Sequence, residues 1–157
     1  MAIEVGADAP KLALYNDSRE VVNLPVTGGV TVLVFFPAAF TGVCTTEMCS
    51  FRDAMAQFNS LNAKVFGVSA DSPFTAAEFK KQNSLNFPLV SDFNHEAIKA
   101  YGVEFPDIAG IKGYTVARRS VFVIGKDGKI AWSWLSDAPT NEPDYDEVKK
   151  AVAAASR

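Results

Sequence analysis

Apolar residues in this chain fall into runs of strand length, separated by segments with helical spacing. Val30–Phe36 (V-T-V-L-V-F-F) is nearly continuous and β-branched at its start, which predicts a strand covered on both faces. Lys64–Ser69 (K-V-F-G-V-S) predicts a second buried strand, and Phe87–Val90 a short third one. Between the first two, Thr41-Gly42 marks a turn from which a helix runs to about Asn59. Ser72 followed by Pro73 reads as an N-cap and a first-turn proline, opening a helix that lasts to about Gln82. Asp92 or Asn94 caps a further helix ending at Gly102, a residue suited to the C′ position. Arg119–Ile124 and Lys129–Leu135 read as two strands joined by the tight turn Lys126-Asp127-Gly128. An acidic start at Asn141–Asp146 leads into a last helix that reaches the C-terminus. Leu12–Leu24 adds a small hairpin near the start.

Strands and helices alternate early, and a strand pair and a helix follow. That order predicts an α/β fold, a central mixed β-sheet flanked by helices on both faces. The 157 residues fit a single domain spanning 1–157. A chain of this size buries about 70% of its unfolded surface and needs no metal or disulfide to hold its core. One long irregular stretch, Val103–Ala117 with Pro106, Gly110 and Gly113, is either a surface crossover or a functional loop.

Composition removes several classes of function. With 48% hydrophobic and 21% charged residues the chain is neither disordered nor collagen-like. Fifteen basic against 18 acidic side chains leave a net charge of −3 with no basic cluster, which argues against nucleic acid as a partner. No apolar run approaches the roughly 20 residues of a membrane span. The opening M-A-I-E-V-G-A-D-A-P-K-L lacks the basic and then apolar regions of a signal peptide, so the expected location is the cytoplasm. Chemistry must come from individual side chains.

The two cysteines, Cys44 and Cys49, are spaced C-x4-C. They are too few for a disulfide framework, and with His95 alone they cannot complete the four ligands of a zinc site. No metal or cofactor is expected. Either both are small core residues or they carry thiol chemistry. With about 100° per helical residue and Cys44 at zero, Met48, Phe51, Met55 and Phe58 lie within about 40° of it, so Cys44 heads the stripe facing the sheet. Cys49 falls about 140° away, on the more polar side with Thr45, Arg52 and Ala56. Their Cα atoms would then sit roughly 8.6 Å apart, beyond the usual 4.4–6.8 Å of a disulfide, so pairing requires the first helical turns to unwind.

Cys44 also lies in the first turn, where unpaired N–H groups and the positive end of the helix dipole favour an anion. Full ionisation of an ordinary thiol at neutral pH gains only about thirty-fold, or ~2 kcal/mol. A fast enzyme also needs donors aimed at the atom that gains charge as a bond breaks.

Pro37-Ala-Ala-Phe-Thr41-Gly-Val-Cys44 has the pattern P-x3-T-x2-C and continues into Thr45-Thr46-Glu47-Met48-Cys49-Ser50-Phe51-Arg52-Asp53. This resembles the active-site signature of peroxiredoxins. The resemblance extends over nearly the whole chain, through G-A-D-A-P-K-L-A-L-Y-N, V-F-G-V-S-A-D-S-P-F, F-P-L-V-S-D and R-R-S-V-F-V-I-G-K-D-G-K-I. It implies a thioredoxin fold with an N-terminal hairpin addition, and a thiol-dependent peroxidase reducing hydrogen peroxide and alkyl hydroperoxides. Cys44 matches the cysteine whose thiolate attacks the peroxide and becomes a sulfenic acid. Thr41 matches the threonine whose hydroxyl bonds thiolate and peroxide, Pro37 the proline that shields the site, and Arg119 the arginine that stabilises thiolate and transition state. The N–H groups of Val43 and Cys44 would complete the donors.

Physical reasoning about these residues alone leaves choices. Thr41 could be only an N-cap. Arg118 and Arg119 could be a solvated pair, and the match to R-x-x-F-x-I favours Arg119. Glu47, one turn after Cys44, would by itself oppose a thiolate, whereas in the resembled family a glutamate there supports the arginine. Arg52 reads as a helix-surface or network residue, and His95, Trp132 and Trp134 as structural. Phe36 and Phe40 would wall the pocket. Cys49 resembles the resolving cysteine of the Q-type, bacterioferritin-comigratory branch, while F-F-P-A-A-F-T-G-V-C and F-P-L-V-S-D-F look closer to the E-type branch. Accordingly Cys49 resolves Cys44 and a thioredoxin-like protein reduces the disulfide, or a small thiol or glutaredoxin-like partner resolves Cys44. The resemblance also implies a homodimer. A competing reading, a redox-regulated binding or chaperone protein with weak peroxidase activity, predicts slow reaction of Cys44 with peroxide and client binding after oxidation.

Overall fold

The apolar run at 30–36 becomes β3 (Val30–Phe35), buried at all six residues in the computed structural model, which describes residues 1–157. The other strands are β1 (Leu12–Asn16), β2 (Val21–Leu24), β4 (Ala63–Ser69), β5 (Leu89–Ser91), β6 (Glu104–Phe105), β7 (Val116–Ala117), β8 (Ser120–Ile124) and β9 (Ile130–Leu135). The helices are α1 (Gly42–Ser60), α2 (Pro73–Gln82), α3 (Glu96–Ala100) and α4 (Tyr145–Ala155). Seven strands form one sheet in the order β2-β1-β5-β4-β3-β8-β9. β3, β4 and β5 are mutually parallel; β1, β8 and β9 pair antiparallel to their neighbours, and the β1–β2 hairpin extends the sheet at one edge.

Side-chain alternation divides the core between the two faces. Val30, Val32 and Val34 pack with Cys44, Met48, Phe51, Met55 and Phe58 of α1, Phe79 of α2, and Val148 and Val152 of α4. Leu33 and Phe35 pack on the other face with Phe122 and with Ala97, Ile98 and Tyr101 around α3. Trp132 and Trp134 lie half-buried against the first cluster, in the structural role their sequence suggests. No helix is long and apolar enough to cross a membrane.

The predicted helix starts hold, with one instructive variation. Ser72 caps α2 by accepting from the Thr75 N–H at 3.1 Å, and Asp144 caps α4 through the N–H groups of Asp146 and Glu147. At α3 the N-cap position belongs to His95, in the left-handed region at φ +60°. Asp92 still caps it from further back, accepting from the N–H groups of Ala97 and Ile98 at 2.9 and 2.8 Å. Gly102 takes a φ of +68° just past that helix, as expected.

Three predicted boundaries are corrected. β5 begins at Leu89 rather than Phe87, because Pro88 between them has no N–H to offer the ladder. β8 begins at Ser120 and β9 at Ile130, which leaves Arg119 just outside its strand. The stretch Val103–Ala117 is not wholly irregular, since β6 and β7 pair within it around a single 3-10 turn, Ile108–Gly110.

Candidate active site

β3 delivers the chain to the site, and Pro37 ends it. The Phe36 N–H still bonds the Val68 carbonyl at 3.0 Å, and the buried Pro37 that follows has no N–H with which to continue the ladder. The chain then reverses through Ala38–Phe40, with Phe40 at a φ of +66°, a conformation that costs a non-glycine residue on the order of 1 kcal/mol. Asp71, after β4, holds this loop by accepting from the Ala39 N–H at 2.9 Å and from the Ser69 hydroxyl at 2.7 Å. Nothing local in the sequence marks Asp71 for this work, because the contact joins two loops 32 residues apart.

Thr41 occupies the N-cap position of α1 with extended dihedrals, yet its side chain caps nothing. Its hydroxyl donates instead to the Ala38 carbonyl at 2.8 Å. The lone pairs of that oxygen remain available as acceptors. The first N–H groups of α1 therefore carry no side-chain cap, and no acidic residue sits in the first turn to neutralise the dipole. That is a helix start ready for an anion or a polar oxygen. Val43, half-buried, and Cys44, fully buried, lie in this turn.

Arg119 reaches Cys44 from the opposite element. Its Nη2 donates to Cys44 Sγ at 3.0 Å, its Nη1 to Glu47 Oε1 at 2.7 Å and its Nε to the Pro139 carbonyl at 3.0 Å. Cys44, Glu47 and Arg119 are all buried. Arg118 points elsewhere, donating from Nε to the Ser136 carbonyl at 2.6 Å, so the geometry selects Arg119. Alternation could have chosen it: Arg119 has the parity of Val121 and Val123, which share the face of Cys44, whereas Phe122 and Ile124 face the other core. The carbonyl of Pro139 carried no such signal.

One cation thus serves two acidic groups. Burial pushes the Glu47 carboxyl up to about 7, against the opposing pull of the Arg119 guanidinium. Its second oxygen has no partner within the protein. For Arg119, burial works against the charge, while Glu47 and Cys44 strengthen the hold on its proton and win. A guanidinium so placed can stabilise an ionised sulfur and the charge that develops as a bond to that sulfur forms. Glu47 thus pairs with Arg119, and its burial is what the sequence did not reveal.

Phe36 is buried in the cluster around Cys44, and Phe40 is half-exposed. Both rings lean on Phe79 of α2, with centroids 5.9 and 5.3 Å away. Two sizeable cavities lie elsewhere: about 520 Å³ near Lys11, Pro25 and Lys126, and about 420 Å³ near His95, Lys99 and Tyr114. Cys49 is half-buried away from the charge cluster, its Sγ 3.9 Å from Asn83 Oδ1 at the end of α2. Both cysteines are free thiols. Among the side chains present, no group of three or more His, Cys, Asp or Glu could hold a metal ion.

Comparison with known proteins agrees with this arrangement. Residues 5–133 match the model of the AhpC/TSA family. Peroxiredoxin Bcp of Bacillus subtilis is 38% identical over 135 residues, 85% of this chain and 86% of that protein. Alkyl hydroperoxide reductase E of Mycobacterium bovis is 36% identical over 135 residues, 83% of this chain and 84% of that protein. The crystal structure of peroxidoxin BcpB from Mycobacterium tuberculosis superposes with a TM-score of 0.86 at 27% identity, covering 97% of each chain. A buried thiol held by an arginine at an uncapped helix start, on a sheet shared with these relatives, leaves one conclusion: the chain belongs to the AhpC/TSA family and is a peroxiredoxin, a thiol-dependent peroxidase on a thioredoxin fold.

Proposed function

We propose that Cys44 is the peroxidatic sulfur and that Cys49 resolves it. The observation that carries the first part is the 3.0 Å contact from Arg119 Nη2 to Cys44 Sγ in a site closed to water. The Cys44 thiolate attacks the terminal oxygen of a hydroperoxide; the O–O bond breaks, an S–O bond forms, and the alkoxide or hydroxide takes a proton as it leaves. Arg119 and the N–H groups of Val43 and Cys44 stabilise the charge moving onto oxygen, and the Thr41 oxygen orients the peroxide. Pro37 keeps the sulfur dry. Similarity to a protein named alkyl hydroperoxide reductase E, and the apolar side chains of Val43 and Phe40 at the site's edge, support alkyl hydroperoxides as substrates alongside hydrogen peroxide.

The second part rests on how the start of α1 is built. Gly42, Val43, Cys44, Thr45 and Thr46 are poor helix formers, together about 3 kcal/mol less favourable than alanines. The hydroxyls of Thr45, Thr46 and Ser50 bond back to carbonyls four residues earlier, a habit that weakens and bends helices. The backbone of these turns is weak, and a Cys44–Cys49 disulfide requires it to unwind as Cys44 and Glu47 leave Arg119. A thioredoxin-like protein would then reduce that disulfide. Half-exposed Phe40, Phe74 and Phe93 follow the carboxyl ends of the parallel strands β3, β4 and β5, and they support a homodimer formed on that end.

Intact mass after stoichiometric peroxide tests the pairing. The wild type is expected to lose two hydrogens within one chain, while Cys49→Ser accumulates a sulfenic acid. A sulfenic acid that persists equally in both proteins would leave resolution to an external thiol.

A further inference from the structure

Helix α1 changes character at Cys49. Up to that point its backbone is built of poor helix formers and is held through Cys44 and Glu47 by Arg119. From there to Arg52 it is tied to the connection between α2 and β5. Arg52 Nη1 donates to the Asn83 carbonyl at 2.7 Å, and Asn86 Nδ2 donates to the Arg52 carbonyl at 3.3 Å. The Asn83 side chain faces Cys49 Sγ with Oδ1 at 3.9 Å and anchors itself through Nδ2 to the Phe79 carbonyl at 3.0 Å. These contacts reach across 31 to 34 residues and meet α1 within one turn.

We propose that Asn83 and Asn86, acting through Arg52 and Cys49, form a brace that limits how far α1 unwinds and sets the rate at which Cys49 reaches the oxidised Cys44. They are positioning residues for the resolving step, and the inference rests on Cys49 being the resolving thiol. In that step the Cys49 sulfur attacks the sulfenic sulfur of Cys44. The S–O bond breaks, the S–S bond forms, and the departing hydroxide takes the Cys49 proton to leave as water. The sulfenic acid is thereby reduced and Cys49 oxidised, with no further reagent. Since the Cα atoms of an intact helix are roughly 8.6 Å apart at this spacing, attack follows opening. Asn83→Ala removes the Oδ1 contact to Cys49 but leaves the carbonyl that holds Arg52, and Asn86→Ala removes the tie to the Arg52 carbonyl. Loss of one such neutral tie shifts an opening equilibrium by about two- to tenfold, and a rate that depends on opening moves by the same factor. Neither asparagine touches the charge cluster around Cys44, so formation of the sulfenic acid does not depend on the brace.

Rapid quenching after peroxide addition, followed by thiol alkylation and intact mass, separates the two steps in the wild type, Asn83→Ala and Asn86→Ala. Both variants are expected to form the disulfide about two- to tenfold faster, with sulfenic-acid formation within twofold of the wild type. Hydrogen exchange should quicken at the amides of Thr46–Arg52 and stay unchanged at Met55–Phe58. A disulfide step at the wild-type rate or slower in both variants overturns the brace. So does a parallel change in both steps, or faster exchange along all of α1, since each reports general loosening. Absence of any intramolecular disulfide in the wild type refutes the underlying reading of Cys49 instead, and with it this inference.

Discussion

Cys44 and Cys49 lie five residues apart on one helix, but the first is sealed against a guanidinium while the second is half-buried beside the Asn83 amide. Helical geometry alone separates them, because five residues turn the chain by about 140° from the core stripe to the rim. Around Cys44 the contacts are charge-assisted, buried and contributed by distant elements: Arg119 before β8, Glu47 on α1, Pro139 ahead of α4. Around Cys49 they lie near the surface: the Asn83 amide oxygen at 3.9 Å, and the Arg52 guanidinium that donates to the Asn83 carbonyl. Under the proposed function, the sulfur that reacts with peroxide is the one that Arg119 holds, and the sulfur that travels is the one beside Asn83. Position on a helix thus gives two cysteines of one chain two different surroundings.

The difference can be broken first on the Cys44 side. Thr41→Val removes a hydroxyl at the front of the site at nearly constant volume, and kcat/KM for peroxide is expected to fall about 100-fold or more, the scale of a lost hydrogen bond that acts in the transition state. Circular dichroism should be unchanged, and Thr41→Ser should recover much of the rate. A Thr41→Val rate equal to the wild type would remove that residue from the site.

A smaller effect concerns stability against pH. Burial lifts Glu47 from its ordinary 4.5 to about 7, so the folded protein keeps this proton in an interval where the unfolded chain has released it. Stability from this group is therefore fully present below about pH 4.5 and is lost as pH rises to about 7, a difference of at most about 3 kcal/mol. Glu47→Gln should flatten that slope in urea titrations at a series of pH values. An unchanged slope would mean that the carboxyl ionises in the fold as easily as outside it. The smallest effect belongs to the other sulfur: Cys49→Ser, half-buried with one long contact, should alter unfolding free energy by no more than about 1 kcal/mol. A larger loss would show that Cys49 is part of the core after all.

Much of this was legible in one dimension. The unbroken apolar run of β3 and the 3.6-residue spacing of Cys44, Met48, Phe51, Met55 and Phe58 are local patterns that dictate which faces are buried, and both survive in the fold. The match of Pro37, Thr41, Cys44 and Arg119 to a known signature indicated the chemistry. What stayed hidden depends on long-range backbone contacts. The Pro139 carbonyl that orients Arg119, the Asp71 carboxylate that fixes Ala39 and the Asn83–Arg52 tie leave no periodicity, because any residue type can offer a carbonyl or an N–H. The bond from the Thr41 hydroxyl to the Ala38 carbonyl was hidden for a related reason, because it depends on the turn that brings Ala38 within reach. Glu47 sits on the core face, where composition rules do not place a carboxylate without a partner, and that partner is Arg119, 72 residues on and just ahead of β8.

The claim beneath all of this is that Arg119, through its 3.0 Å contact, makes the Cys44 sulfur an effective nucleophile. Its most direct test is the rate of iodoacetamide alkylation of Cys44 at neutral pH in a Cys49→Ser background, with and without Arg119→Met. At least a tenfold slower reaction in the methionine variant, with its fold intact by circular dichroism, is the predicted result, and equal rates in the two proteins would contradict it.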